Sequence, residues 1–242
     1  MMKSWSGIVL ILCIVTSCTN EVPKGANTST AVRSDLNGFS GPLEYAVVPD
    51  NVVHDTLLVQ VTIDVQDGTN IMVASNMEEK FEGLRLYHYR ALPDSSAEVI
   101  SVSVPAYDSW SMLPTFFGPG KGMNGTWMAA NFGERESWGQ KLFWCENGFQ
   151  DRGFIDVAFP EHIVEQDTTY LKRTTIAPHM RFGQSNDTAL FVFDCDSVYI
   201  YDDLKDRTDY VVPSTSVRYT YHPNTGLVLW INGEPRTPRP NT

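Results

Sequence analysis

Between Trp127 and Glu146 the chain gathers side chains suited to holding a sugar. Trp127, Trp138 and Trp144 are interleaved with Glu134, Glu136 and Glu146. Indole faces offer an apolar platform, and carboxylates accept hydroxyl hydrogen bonds; a carbohydrate-binding surface needs both. Trp127, Glu134, Glu136, Trp138 and Trp144 are therefore the candidate ligand-binding residues. The competing reading is that the indoles fill a core, as large aromatics mostly do. Trp138, at the foot of the expected turn, is then the indole left to solvent. Glu134 and Glu136 do not amount to a glycosidase pair by type alone, because that assignment depends on the separation of the carboxyl groups.

Asp194-Cys195-Asp196, followed by Asp202, Asp203, Asp206 and Asp209, is a second polar concentration. Hard cations take oxygen ligands from carboxylates in such loops, which makes Asp194 and Asp196 candidate calcium ligands. The EF-hand pattern is absent, with Val198 where a third ligand would stand, and the same residues make a good turn between Phe193 and Val198. His54, His88, His162, His179 and His222 are scattered. His162 and Glu165 would share a face only on a helix, and His88 and His222 read as structural residues of strands. There is no Gly-x-Ser-x-Gly, His-Glu-x-x-His or Cys-x-x-Cys, and no cofactor motif.

The elements that must position these residues have a period of two. Val59, Val61, Ile63 and Val65 alternate with polar residues, as do Ile100 to Val104 and Val217 to Tyr221. Further short runs at 70–74, 84–89, 126–131, 141–145, 154–159, 190–193, 198–201 and 227–231 are punctuated by Asp67-Gly68, Pro93-Asp94, Asn147-Gly148 and Asn224-Thr225-Gly226. About a dozen short strands so punctuated predict an all-β, antiparallel, β-sandwich-like body. Met77–Gly83 and Pro160–Gln166 are expected to add one or two short helices. If 126–131 and 141–145 form a hairpin centred between Arg135 and Glu136, Trp127 lies opposite Trp144, Met128 opposite Phe143 and Ala129 opposite Leu142. The Gly- and Pro-rich stretch 112–125 is either a boundary within the body or a long surface loop.

Aromatic residues make up 12% of the chain and charged residues 19%, the composition of a folding body rather than a disordered one. A net charge of −11 disfavours nucleic acid and anionic lipid head groups as partners. Cys145 and Cys195 would close a loop of about 50 residues if paired, contributing about 4 kcal/mol in the chain-entropy view; two separate buried thiols are the alternative.

The first residues carry an address. Met1-Met2-Lys3 is a short basic start, and Gly7 to Val15 is apolar but too short to span a bilayer, so 1–17 reads as a secretory signal peptide. Val15-Thr16-Ser17-Cys18 resembles the lipobox of bacterial lipoproteins. The resemblance implies cleavage before Cys18, lipidation of its thiol and permanent membrane attachment through more than one acyl chain. Thr19 stands where an Asp would resemble an inner-membrane retention signal, so in a host with two membranes the outer one is implied. Residues 18–42, rich in Gly, Ser, Thr, Asn and Pro, read as a flexible tether, 43–231 as the β-rich body, and 232–242 as a Pro-rich tail that cannot be a central strand.

Two functions are compatible with these features. The leading expectation is a lipid-anchored envelope protein with a non-catalytic binding or structural role towards a glycan or another envelope protein. The alternative is a glycan-active hydrolase or lyase on a sandwich scaffold, since such folds host both binders and enzymes.

Overall fold

Phe116 and Phe117 are neighbours in one strand, yet they belong to different hydrophobic cores. That alternation explains the architecture seen in a computed structural model. The structure describes residues 36–48, 57–76, 83–103, 113–118, 122–123, 125–131, 139–200 and 210–236. Cys18, Glu134, Glu136 and Trp138, and residues 77–82 of the first expected helix, lie outside the described residues.

In chain order the strands are β1 (Ala46–Val47), β2 (Leu57–Asp64), β3 (Asn70–Asn76), β4 (Leu84–Ala91), β5 (Ala97–Val102), β6 (Pro114–Phe117), β7 (Thr126–Asn131), β8 (Gln140–Cys145) and β9 (Phe149–Ile155). They continue as β10 (Val157–Glu165), β11 (Thr168–Thr174), β12 (Met180–Ser185), β13 (Thr188–Phe193), β14 (Ser197–Ile200), β15 (Tyr210–Pro213), β16 (Val217–His222), β17 (Gly226–Ile231) and β18 (Glu234–Arg236). Four sheets result, ordered β1-β2-β3-β4-β5, β6-β7-β8-β9, β11-β10-β14-β15 and β12-β13-β16-β17-β18. Every pairing is antiparallel. The fold is all-β and sandwich-like, as its period-two patterning predicts.

The β6–β9 sheet is a middle layer. Phe117, Trp127, Ala129, Leu142 and Ile155 pack on one side against Phe191, Phe193, Tyr219 and Leu229 of the β12–β18 sheet and Val157, Val198 and Ile200 of the β10–β15 sheet. Phe116, Met128, Ala130, Phe143 and Cys145 pack on the other side against Ile63, Ile71, Val73, Leu84 and Leu86 of the first sheet. Burial on both faces explains why all six residues of β7 are buried. Lys141 is tolerated on β8 because its Nζ is 2.6 Å from Asp151 Oδ2.

Several sequence expectations need correction. Pro160–Gln166 is not helical: β10 runs through it and pairs along its length with β11, so His162 and Glu165 do not share a face. The reversal is made by Gln166 and Asp167, both at positive φ (47° and 66°), a two-residue turn without the usual Asn-Gly signal. The tether ends earlier than expected, since Ser40 and Phe182 exchange two backbone hydrogen bonds of 2.8 Å and Leu43 bridges to Phe116. Asn232-Gly233 turns the chain into β18, so the tail begins with an edge strand. Pro235 is tolerated there because an edge strand has a side that needs no donor. The 112–125 stretch contains β6, which pairs with β7 inside the middle sheet, and Val32–Thr242 forms one compact unit. Cys145 and Cys195 are not joined; Cys145 is buried in the core shared with the first sheet, and Cys195 packs at the margin of the opposite core.

Candidate functional site

The β7–β8 hairpin has the register its sequence predicts: Trp127 faces Trp144, Met128 faces Phe143 and Ala129 faces Leu142. Trp127 and Trp144 therefore share the face turned towards the β12–β18 sheet. Trp127 is only 5% exposed and packs against Trp144, Phe191 and Tyr221 at centroid distances of 5.1, 5.5 and 5.1 Å. Trp144 is half-buried, and its Nε1 donates to Glu146 Oε2 at 2.9 Å, which fixes the orientation of the indole.

Where the two layers part, a cleft of about 350 Å³ opens over this cluster. Trp127, Trp144, Ala189 and Tyr221 form its floor, and Arg152, Gln184, Asp187 and Pro223 surround them. Gln184, Asp187 and Pro223 are exposed. Aromatic floor and polar rim together match the general requirement of a small-ligand site.

Arg152 reaches the cleft through a defect in the ladder. The register shifts between Leu142 and Phe143, which pair with Gly153 and Asp151, so Arg152 is the extra residue of a β-bulge. Bulges re-aim side chains in this way. Asp151 keeps its place on the opposite face, bound to Lys141. Gly153 is required beside the bulge: it has φ of 119°, and a Cβ there would stand 3.1 Å from Leu227 Cδ2. The guanidinium lies over the Tyr221 ring at 5.4 Å, and its Nη2 donates to Gln150 Oε1. Gln150 Nε2 in turn donates to the Glu146 carbonyl at 2.9 Å. A continuous brace thus links the residue that orients Trp144 to the arginine.

Of the residues singled out from sequence, the structure brings Trp127 and Trp144 together. Asp194 is engaged elsewhere: its Oδ2 accepts from Arg181 Nη2 at 2.8 Å. Among the described residues no group of three His, Cys, Asp or Glu side chains is placed to hold a metal ion. Sequence reasoning missed Arg152, Gln184, Asp187 and Tyr221 as site residues. Gly153, between the polar Gln150-Asp151-Arg152 and the apolar Phe154-Ile155, was a bulge signal, and Asn186-Asp187 was a turn signal; neither says which strand lies across the cleft.

A second polar cluster sits at the other interface of the middle sheet. Asp67 Oδ1 accepts from Thr69 Oγ1 at 2.5 Å, and Asp67 Oδ2 accepts the Met123 amide at 2.8 Å. Burial opposes ionisation of Asp67, but the Thr69 and Met123 hydrogen bonds outweigh it and hold the carboxyl below its ordinary pKa. A hydroxyl that donates to a carboxylate has no second proton, so His88 Nε2, 2.8 Å from Thr69 Oγ1, must be the donor in that contact. Burial also lowers the His88 pKa and favours the neutral ring, whose Nδ1 is left as a bare acceptor. The threonine stands between acid and histidine, the reverse of the order that activates a hydroxyl nucleophile. Burial pushes the nearby Cys145 thiol far above its usual range, so it is not a ready thiolate.

No family model, curated protein or solved structure matches this chain.

Proposed function

We propose that this chain is a lipid-anchored protein of the bacterial cell envelope whose β-rich body binds a glycan without transforming it. The observation that carries the binding reading is the cleft floored by Trp127, Trp144 and Tyr221 and rimmed by Arg152, Gln184 and Asp187. A sugar ring has one face of C–H groups and an equator of hydroxyls. Trp144, held by Glu146, supplies a surface for the first; Asp187 accepts and Gln184 both accepts and donates for the second. Asp187 is the one carboxylate among the described lining residues. A cleft with one carboxylate suits retention better than glycosidic cleavage, which ordinarily uses two acids flanking the bond. The anchor reading rests on the sequence of basic start, short apolar run and Val15-Thr16-Ser17-Cys18. It places the acidic body beside the membrane, at the outer membrane where there are two.

A glycan array with the whole chain and its Trp144→Ala variant tests the binding. Binding by the parent protein, lost in the variant, is expected; an array without a bound glycan, or one on which both proteins bind alike, refutes the reading. Mass analysis of the N-terminus tests the anchor. An acylated Cys18 is expected, and an unmodified Met1 refutes it.

A further inference from the structure

Arg152 is a cation without a counter-ion among the described residues. Its neighbours are the Gln150 amide and the Tyr221 ring, and no carboxylate stands within ion-pair distance of it among the described residues. Three other cations of the body are ion-paired, Arg90 with Glu98 at 2.7 Å, Lys141 with Asp151 at 2.6 Å and Arg181 with Asp194 at 2.8 Å, whereas Arg218, which like Arg152 lies over a ring, is exposed to solvent. The mismatch is not a matter of supply, because the chain carries 29 acidic residues against 18 basic ones. Asp151, next in sequence, is turned to the other face of the sheet by the bulge that delivers Arg152 to the cleft.

The guanidinium is also under-used as a donor. Nη2 is engaged by Gln150, Nε is buried without a partner, and Nη1 makes no hydrogen bond among the described residues. Nε is closed to solvent, so Nη1 is the donor of the guanidinium left for an acceptor from outside. A guanidinium is planar and permanently charged, and a carboxylate matches its paired N–H groups. Stacking on Tyr221 and the brace through Gln150 hold the fork in place before a ligand arrives.

Building on the glycan reading above, we infer that the sugar recognised at this cleft carries a carboxylate, as uronic and sialic acids do, and that Arg152 binds it while Trp144 carries the ring. Asp187, exposed on the β12–β13 turn, lines the same cleft and would repel a carboxylate placed beside it. That repulsion sets the orientation, with the acid group towards Arg152 and the hydroxyls towards Asp187 and Gln184.

The test pairs each acidic glycan with its carboxyl-reduced counterpart, using uronic- and sialic-acid oligosaccharides against the whole chain and its Trp144→Ala, Arg152→Gln and Arg152→Lys variants. At least one acidic glycan should bind tenfold or more tightly than its reduced form. Arg152→Gln should bring the two forms within twofold of each other, Arg152→Lys should restore part of the preference, and Trp144→Ala should abolish both. The ratio between acidic and reduced ligands is the readout, because general damage to the fold weakens both forms alike. Trp144-dependent binding that ignores carboxyl reduction, or a preference that survives Arg152→Gln, overturns the carboxylate inference and leaves the glycan reading standing. Absence of binding to any member of either series overturns the carboxylate inference, and the glycan array then decides the wider reading by itself.

Discussion

Trp127 and Trp144 stand opposite each other across β7 and β8, their ring centroids 5.1 Å apart and their planes inclined at 58°, yet they have different tasks. Trp127 is sealed between layers, in edge contact with Phe191 and Tyr221, whereas Trp144 is half-open to the cleft and tied to Glu146. Truncating them should separate stability from binding. Trp127→Ala should cost about 3–5 kcal/mol, the usual loss for a buried aromatic. Trp144→Ala should cost distinctly less while removing glycan binding. Urea unfolding of the two variants beside a binding isotherm for Trp144→Ala measures this, and equal destabilisation would show that Trp144 is simply core.

Phe39 lies against Gly183, and that contact fastens the start of the described chain to the body. A Cβ on residue 183 would stand 2.7 Å from Phe39 Cε1, so Gly183→Ala must displace the ring. Overpacking of this kind costs about 1–3 kcal/mol. The Ser40 amide, hydrogen-bonded to Phe182, should exchange faster in the variant. In the Phe39→Ala background the same substitution should cost far less, because the clash is gone; additive losses in the double variant would contradict the packing described.

The register of the middle hairpin was legible in the sequence because, among the antiparallel pairings open to the two apolar runs, one sets indole opposite indole. The all-β class was legible for the same reason, since polar and apolar residues alternate wherever one face of a strand is wet. Two features worked against the rest. β7 and β8 are covered on both faces, so their runs of buried residues do not say which side faces which partner. β11 has five exposed residues and no alternation that would mark it, and the turn before it opens with Gln166, a residue type that seldom adopts positive φ. The site lies between layers, and its Arg152, Gln184 and Tyr221 come from β9, β12 and β16. Periodicity within one strand cannot reveal that meeting. Asn232-Gly233 was a plain hairpin signal, hidden by the prolines that follow it.

Cys145 and Cys195 supply a further check on the layering. With Cys145 buried in the core beneath the first sheet and its thiol driven upward in pKa by desolvation, it should react with a thiol reagent only on unfolding. A non-reduced tryptic digest should contain no peptide linking Cys145 to Cys195, and the melting temperature attributable to that pair should not move with reductant. A linked peptide would require the two regions to meet and would refute the arrangement.

Stability should decline with acid in two separate windows. His88 and His179 are both buried enough to be held below their ordinary pKa near 6.5, desolvation being the main cause for each. His179 also stacks on Phe159 at 4.2 Å. Below pH 6.5 the unfolded chain takes up protons that the folded protein resists, so unfolding becomes progressively easier until the folded values are passed. Above 6.5 the same groups contribute no slope. Asp67 acts in a lower window: its carboxyl is held below the ordinary 3.8, so its contribution is intact above that value and is lost as pH falls through the folded one. Urea midpoints measured from pH 8 to pH 3 should therefore be flat at first, fall below 6.5 and fall again below 3.8. Replacing His88 with Gln should reduce the first decline and leave the second in place. A midpoint that rises between pH 6.5 and 5 would mean that the histidines are charged in the folded state, contrary to the Thr69–His88 geometry.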